Sequence, residues 1–330
     1  MDILIAGTLM LGIIIFANIL YVRNRRVEKI IFDAFIFFSS GLVFLLGLLF
    51  LVVPPDFYER VTDSTLDLFD TQPFGLVLVL TAGAAMAFSV GKVRQLLARF
   101  MPLNPDSPVH TLALVLSAYL IGYTGVMLSQ GGLTELAEAA EPAPLSFLIL
   151  SALLFGVIAL FGVGFIVRRK GRDLAARLGL EKPTPVQLLV AVALILVLVM
   201  LQACAGLIWG VLNPEQSEVL EEVSAVLLKD IDTVWEWFLL ALAVGIGEEL
   251  LFRGALQPAL GLGFTSVLFA LIHIQYGYTP VTLFIVLVAI VLGLMRRYYN
   301  TTITIIVHVG YNFSLGLLAL LAAYLQDFVV

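Results

Sequence analysis

Apolar residues run in blocks of about 15 to 28 along the whole chain, separated by short polar loops. About 20 consecutive apolar residues cross a hydrocarbon core as a helix, so the pattern predicts an all-α, polytopic transmembrane bundle. The blocks place spans at roughly 2–22, 30–53, 74–91, 109–130, 145–167, 185–212, 237–257, 264–277, 281–295 and 302–325. The eighth and ninth are short, so the expected number is about eight to ten. The chain opens Met-Asp without a basic segment, and its first block is read as a retained span.

The loops alternate in charge. Arg23, Arg25, Arg26 and Lys29 share one loop; Lys92, Arg94 and Arg99 a second; Arg168, Arg169, Lys170, Arg172, Arg177 and Lys182 a third; Arg296 and Arg297 a fourth. The intervening loops carry Arg60 and Lys229 and most of the acids, including Asp56, Asp63, Glu135 and Glu138. The positive-inside rule puts the N-terminus outside. Asp33, near the inner end of the second span, is expected to snorkel to the interface or pair with Lys29. Between the sixth and seventh spans, Leu220, Val223, Leu227 and Ile231 recur at helical spacing among acids, which predicts an amphipathic helix on the membrane surface. Trp235 and Trp237 mark the interface where the seventh span enters. The small residues from Thr81 to Ala85 predict close helix packing.

Composition agrees. Hydrophobic residues make up 61% of the chain, charged residues 13%, and the mean hydropathy is +1.06. The single cysteine, Cys204, excludes an intrachain disulfide and a cysteine-based zinc site. The net charge of −6 is sorted by loop and gives no reason to expect nucleic acid as a partner. Membrane lipids are the implied surroundings.

Against this background the run from Gly245 to Arg253 stands out, because Glu248, Glu249 and Arg253 lie inside the seventh apolar block. Each costs roughly 2.5–3.5 kcal/mol at a helix centre, so the three oppose insertion by about 8–10 kcal/mol before pairing. Packing alone returns nothing of that size, and a site within the bilayer is the reading that follows. Glu249 and Arg253 are spaced i, i+4 with the acid first, as an ion pair prefers. Glu248 lies about 100° round the helix, free to face another cavity. Gly245 and Gly247 allow close helix approach or a local kink.

Two of the three histidines also fall inside apolar blocks. His273 follows Phe269 by four residues on the eighth span, and His308 precedes Asn312 by four on the tenth. Helix rise places Glu248 about 16 Å from the outer entry, His273 about 14 Å and His308 about 9 Å from the inner side. Three helices thus bring acid, imidazole and amide to comparable depth. A desolvated carboxylate suits a general base. Glu248 is read as that base, with Glu249 and Arg253 as its charge-balancing neighbours. His273 would hold or deprotonate water, while His308 and Asn312 would stabilise an oxyanion. Alternatives stay open: an acid–arginine pair also ties helices together, and an intramembrane histidine also serves packing. Glu248, His273 and His308 suit a divalent metal such as zinc, although the HExxH spacing is absent, so a metal-free site is equally open. His110, beside Pro108, is read as structural.

The ordered set Glu248-Glu249-x-x-x-Arg253, Phe269-x-x-x-His273 and His308-x-x-x-Asn312 resembles the CAAX protease and bacteriocin-processing (CPBP) family of intramembrane endopeptidases. The resemblance covers roughly 185–330 and is sharpest over 245–316. It implies that Glu248 and His273 activate water while His308 and Asn312 support the oxyanion. A metal-dependent and a metal-free glutamate mechanism are both compatible with it. It also implies a peptide or protein substrate, with or without a lipid, and a protease domain at 185–330 preceded by a transmembrane region of unassigned role at 1–184. A proton-coupled transporter and a catalytically silent membrane scaffold are the rival readings.

Overall fold

A computed structural model describes residues 2–54, 57, 70–129, 142–273, 276 and 279–329. The acid-rich segments at 55–69 and 130–141 fall largely outside them. Every described regular element is helical. That follows from the medium, since a bilayer core offers no water and a helix satisfies its own backbone groups. The helices are α1 (Asp2–Arg23), α2 (Arg26–Val52), α3 (Thr71–Ser89), α4 (Gly91–Leu97), α5 (Pro108–Ser129), α6 (Leu145–Gly162) and α7 (Gly171–Leu178). They continue with α8 (Pro185–Leu212), α9 (Pro214–Leu227) and α10 (Val234–Glu249), then a π-helical segment (Leu250–Leu256). The last are α11 (Gln257–Leu260), α12 (Leu262–Leu271), α13 (Pro280–Tyr298) and α14 (Thr301–Val329).

Seven of the described helices are long and apolar enough to cross a membrane: α2, α3, α5, α6, α8, α13 and Thr301–Leu325 of α14. The chain is an integral, multi-pass membrane protein. The expected seventh span runs instead as an unbroken helical stretch from Val234 to Leu260, interrupted in register by the π segment. The expected eighth span is a correction. Its helix ends at Leu271, ten residues long, which at 1.5 Å per residue is about half a hydrocarbon core. His273 therefore lies past the end of α12, and the shared helix face expected for Phe269 and His273 does not form. His273, Gln275 and Gly277 then interrupt the apolar run at every second position.

The chain divides into two compact units. One comprises Phe16–Ala139 and Leu271–Gly277. Within it α2, α3 and α5 pack through small residues. A Cβ on Gly47 would lie 2.9 Å from the Gly75 carbonyl oxygen, and Gly122 lies directly on Thr81. Ala82 and Ala85 are buried there, as expected of that small-residue stretch. Asp33 pairs with Arg94 at 2.6 Å, not with Lys29, whose ammonium donates to Asn24 Oδ1. Arg94 wins because its buried guanidinium also caps the Phe88, Ser89 and Pro105 carbonyls, fixing it beside Asp33. His110 accepts the Asn104 backbone N–H at Nδ1.

The other unit comprises Met1–Ile15, Ala140–Ala270 and Tyr278–Val330. It reaches back well before residue 185. Its apolar core joins α8, α13 and α14 through Ala191, Leu198, Val288, Leu292, Ile303 and Val307. α8 starts from a Thr184–Gln187 capping box with Pro185 at its first position. α9 is the expected amphipathic helix, with Leu220 and Val223 buried and Glu218, Glu221 and Glu222 exposed. α10 starts from a second capping box, in which Thr233 and Glu236 satisfy each other's backbone N–H groups.

Candidate active site

α10 is held on two sides by glycines. A Cβ on Gly245 would lie 3.1 Å from the backbone nitrogen of Val309 on α14, and one on Gly247 would run into the Ala152 carbonyl on α6. Both helices thus approach α10 at backbone distance just before Glu248, as the Gly245/Gly247 spacing led one to expect. Immediately afterwards the hydrogen bonding widens into the π segment, and such bulges concentrate at functional sites. The segment's loosened carbonyls find side-chain donors. Arg177 donates to Gly254 O at 2.7 Å and Ala255 O at 3.3 Å, and Arg296 Nε donates to Arg253 O at 3.3 Å.

Four ionisable side chains gather where α10, the π segment and α14 meet. Glu249 is fully buried and Arg253 is 2% exposed. Arg253 Nη1 lies 3.3 Å from Glu249 Oε1, the ion pair their spacing predicted. Arg253 Nη2 donates to the Ala289 carbonyl of α13 at 3.1 Å. Its guanidinium lies 4.4 Å from the centroid of the Phe269 ring, close enough for a cation–π contact. Burying a charge this deeply is tolerable only with such partners.

His308 reaches both glutamates. Its Nδ1 lies 2.9 Å from Glu249 Oε1, and its Nε2 lies 3.9 Å from Glu248 Oε2. Phe269 meets the imidazole edge-on at 5.9 Å between centroids. An ionised carboxylate only accepts, so the Glu249 contact places a proton on Nδ1 and leaves the lone pair of a neutral ring on Nε2, toward Glu248. Oε2 of Glu248 is buried and has no hydrogen-bond partner among the described residues. The 3.9 Å gap is too long for a hydrogen bond, yet one water oxygen can reach both atoms.

Asn312 follows His308 by one turn of α14 and is half-buried. His273 belongs to the other unit, where its ring stacks on Tyr276 with centroids 6.4 Å apart. The cluster assembled within one unit is therefore Glu248, Glu249, Arg253 and His308. Among the described residues, no group of three His, Cys, Asp or Glu side chains is placed to hold a metal ion. Within this unit the facing donors are Glu248 and His308 Nε2, with Glu249 already matched by Arg253 and His308.

Sequence reasoning passed over Phe269 as a site residue, although its place four residues before His273 marked it. It also missed Ala289, whose contribution is a backbone carbonyl and left no trace in the residue pattern.

Residues 230–314, about a quarter of the chain, match a family model described as Rce1-like, type II CAAX prenyl endopeptidase. The match contains Glu248, Glu249, Arg253, His273, His308 and Asn312. No curated protein matches the chain, and no solved structure matches it.

Proposed function

With its 230–314 segment belonging to the CAAX protease family, we propose that the chain hydrolyses peptide bonds by a glutamate–histidine mechanism beside the cytoplasmic leaflet. The coarser assignment, a CAAX-protease-like intramembrane endopeptidase, follows from the family match itself. The mechanism rests on one observation, the buried 3.9 Å separation between Glu248 Oε2 and His308 Nε2.

A water molecule held between those two atoms is the nucleophile. Glu248 takes its proton as the oxygen attacks the scissile carbonyl, then delivers it to the leaving amine. His308 orients the water through Nε2, and Glu249 fixes the ring by accepting from Nδ1. Arg253 balances Glu249, so the ring is held by a carboxylate that stays ionised. Asn312 supplies an amide donor for the developing oxyanion, a role in which His308 assists only once Nε2 is protonated. The substrate is a peptide or protein, with or without a lipid.

The cytoplasmic placement is supported by the basic loops. Arg168, Arg169 and Arg177 follow the end of α6 and Arg296 and Arg297 lie in the last turn of α13, and the positive-inside rule assigns such basic ends to the cytoplasm. The N-terminus then faces outside.

Purified full-length protein incubated with lipidated and unlipidated peptide libraries tests the reading. Expected is cleavage by wild type and its loss in Glu248→Gln, with the variant folded and membrane-inserted. Wild-type cleavage in that variant removes Glu248 as base. Solute flux in proteoliposomes without any cleavage would instead identify a transporter.

A further inference from the structure

One end of the unit that holds the candidate site gathers four half-buried arginines. α6 stops there at Gly162, α13 stops at Tyr298 and α14 begins at Thr301, so the level is that of the membrane interface. Arg177, on α7, and Arg296, at the end of α13, hold three consecutive carbonyls of the π segment from two sides. Arg168 and Arg169, on the tight loop after α6, both donate to the Val163 carbonyl. A Cβ on Gly179 would lie 2.5 Å from Arg296 Cζ, so that glycine is what lets the guanidinium lie against the end of α7.

Arg169, Arg177 and Arg296 form no ion pair with a carboxylate among the described residues. Glu181 is the one carboxylate that attracts Arg296 among the described residues. Burial, reinforced by Arg169, Arg168 and Arg296, pulls the Arg177 guanidinium down to about 10. Arg169, Arg177 and Arg296 thus hold like charges that an anion would balance.

The surroundings indicate which anion. Ile166, at the tip of the loop, is 58% exposed, and Tyr298 is 73% exposed. Ile166 is held at a φ of +68°, a conformation a β-branched residue rarely adopts, and the loop nonetheless presents it outward. Apolar and aromatic side chains beside guanidinium groups at the ends of spans match the layered chemistry of a lipid, with acyl chain below and phosphate above.

We propose that Arg168, Arg169, Arg177 and Arg296 form a binding site for the headgroup phosphate of an anionic membrane lipid, with Ile166 and Tyr298 against its glycerol and acyl region. Guanidinium forks match phosphate oxygens in geometry as well as charge. Because Arg177 and Arg296 also hold the carbonyls of residues 253–255, an occupied site steadies the π segment directly after the Glu249–Arg253 pair.

The test uses the full-length protein in detergent, titrated separately with short-chain phosphatidylglycerol, short-chain phosphatidylcholine and inorganic phosphate, with thermal unfolding as the readout. Phosphatidylglycerol is expected to raise the unfolding midpoint, and the other two are not. At about five-fold in affinity per basic residue near the surface, Arg168→Gln with Arg169→Gln should weaken phosphatidylglycerol about 25-fold. The corresponding lysine pair should recover much of the loss, while exposed Lys229→Gln should change nothing. Equal stabilisation by phosphatidylcholine, an equal effect of inorganic phosphate alone, or unchanged phosphatidylglycerol affinity in the glutamine pair would each overturn the proposal. Should the glutamine pair fail to fold, wild type decides: a phosphatidylglycerol effect that survives high salt undiminished overturns it, and one that salt abolishes supports it.

Discussion

Nδ1 of His308 stands 2.9 Å from Oε1 of Glu249, a buried contact across 59 positions of sequence. It fixes more than a distance. With the proton on Nδ1, the ring offers Nε2 to Glu248, so the second glutamate determines what the first can share with the histidine. The diacidic pair thus divides into one carboxylate that holds the imidazole and one that faces its other nitrogen.

Replacing Glu249 with glutamine tests that division. An amide can donate to Nδ1 and so favours the opposite ring tautomer, leaving Nε2 protonated. Cleavage should fall by about 10²–10⁴-fold, the scale seen when an orienting carboxylate becomes an amide. The rate is compared at equal amounts of folded protein, and a wild-type rate would show that the tautomer is immaterial.

Arg253→Ala leaves Glu249 fully buried without its cation. Breaking a buried pair from one side costs about 3–5 kcal/mol, so unfolding should occur at markedly lower denaturant. Arg253→Lys should recover only part of this. An ammonium cannot at once pair with Glu249, reach the Ala289 carbonyl and lie flat on Phe269. Equal stability of the alanine variant and wild type would contradict the account.

At Gly247 a single methyl group is enough. Its Cβ would enter the Ala152 carbonyl, and backbone cannot rotate aside as a side chain can. Gly247→Ala should cost about 1–3 kcal/mol or more and displace Glu248 from His308. Gly162→Ala, whose Cβ meets nothing within 4 Å, should stay within about 0.5 kcal/mol of wild type. Parallel thermal unfolding of the two variants separates a packing effect from a general intolerance of alanine.

The Thr233–Glu236 capping box gives a pH signature at the start of the helix that carries the site. The Thr233 hydroxyl, together with backbone N–H groups of Thr233 and Asp232, holds the Glu236 carboxyl below its ordinary value of 4.5. A depressed carboxylate contributes stability above the unfolded-state value and loses it as pH falls through the folded one. Wild type should therefore lose this increment between about pH 5 and 3. In Glu236→Gln the stability difference from wild type should shrink over that same interval. A difference that stays constant with pH would place Glu236 outside the cap.

Much of the site was legible because it breaks a local rule. Glu248, Glu249 and Arg253 are conspicuous in an apolar block whatever surrounds them, and the i, i+4 spacing gave the ion pair without any knowledge of neighbouring helices. His308 was found the same way. Its partners were not, since nothing in the spacing says which way α14 turns toward α10. Asp33 shows the same limit: Lys29 was the near cation in sequence, whereas Arg94, 61 positions away, was the near one in space. The π segment left no signal either, because Leu250–Leu256 reads as ordinary helix and the donors to its carbonyls, Arg177 and Arg296, come from other elements.

The sequence alone determined that this chain crosses a membrane as helices and which few charged residues it carries inside. Both follow from sums over neighbouring residues against the cost of hydrocarbon. Tertiary structure decided which cation each acid meets and which nitrogen of His308 faces which glutamate. Those outcomes depend on helix rotation and on backbone approach at Gly245 and Gly247, quantities that exist only once distant segments touch.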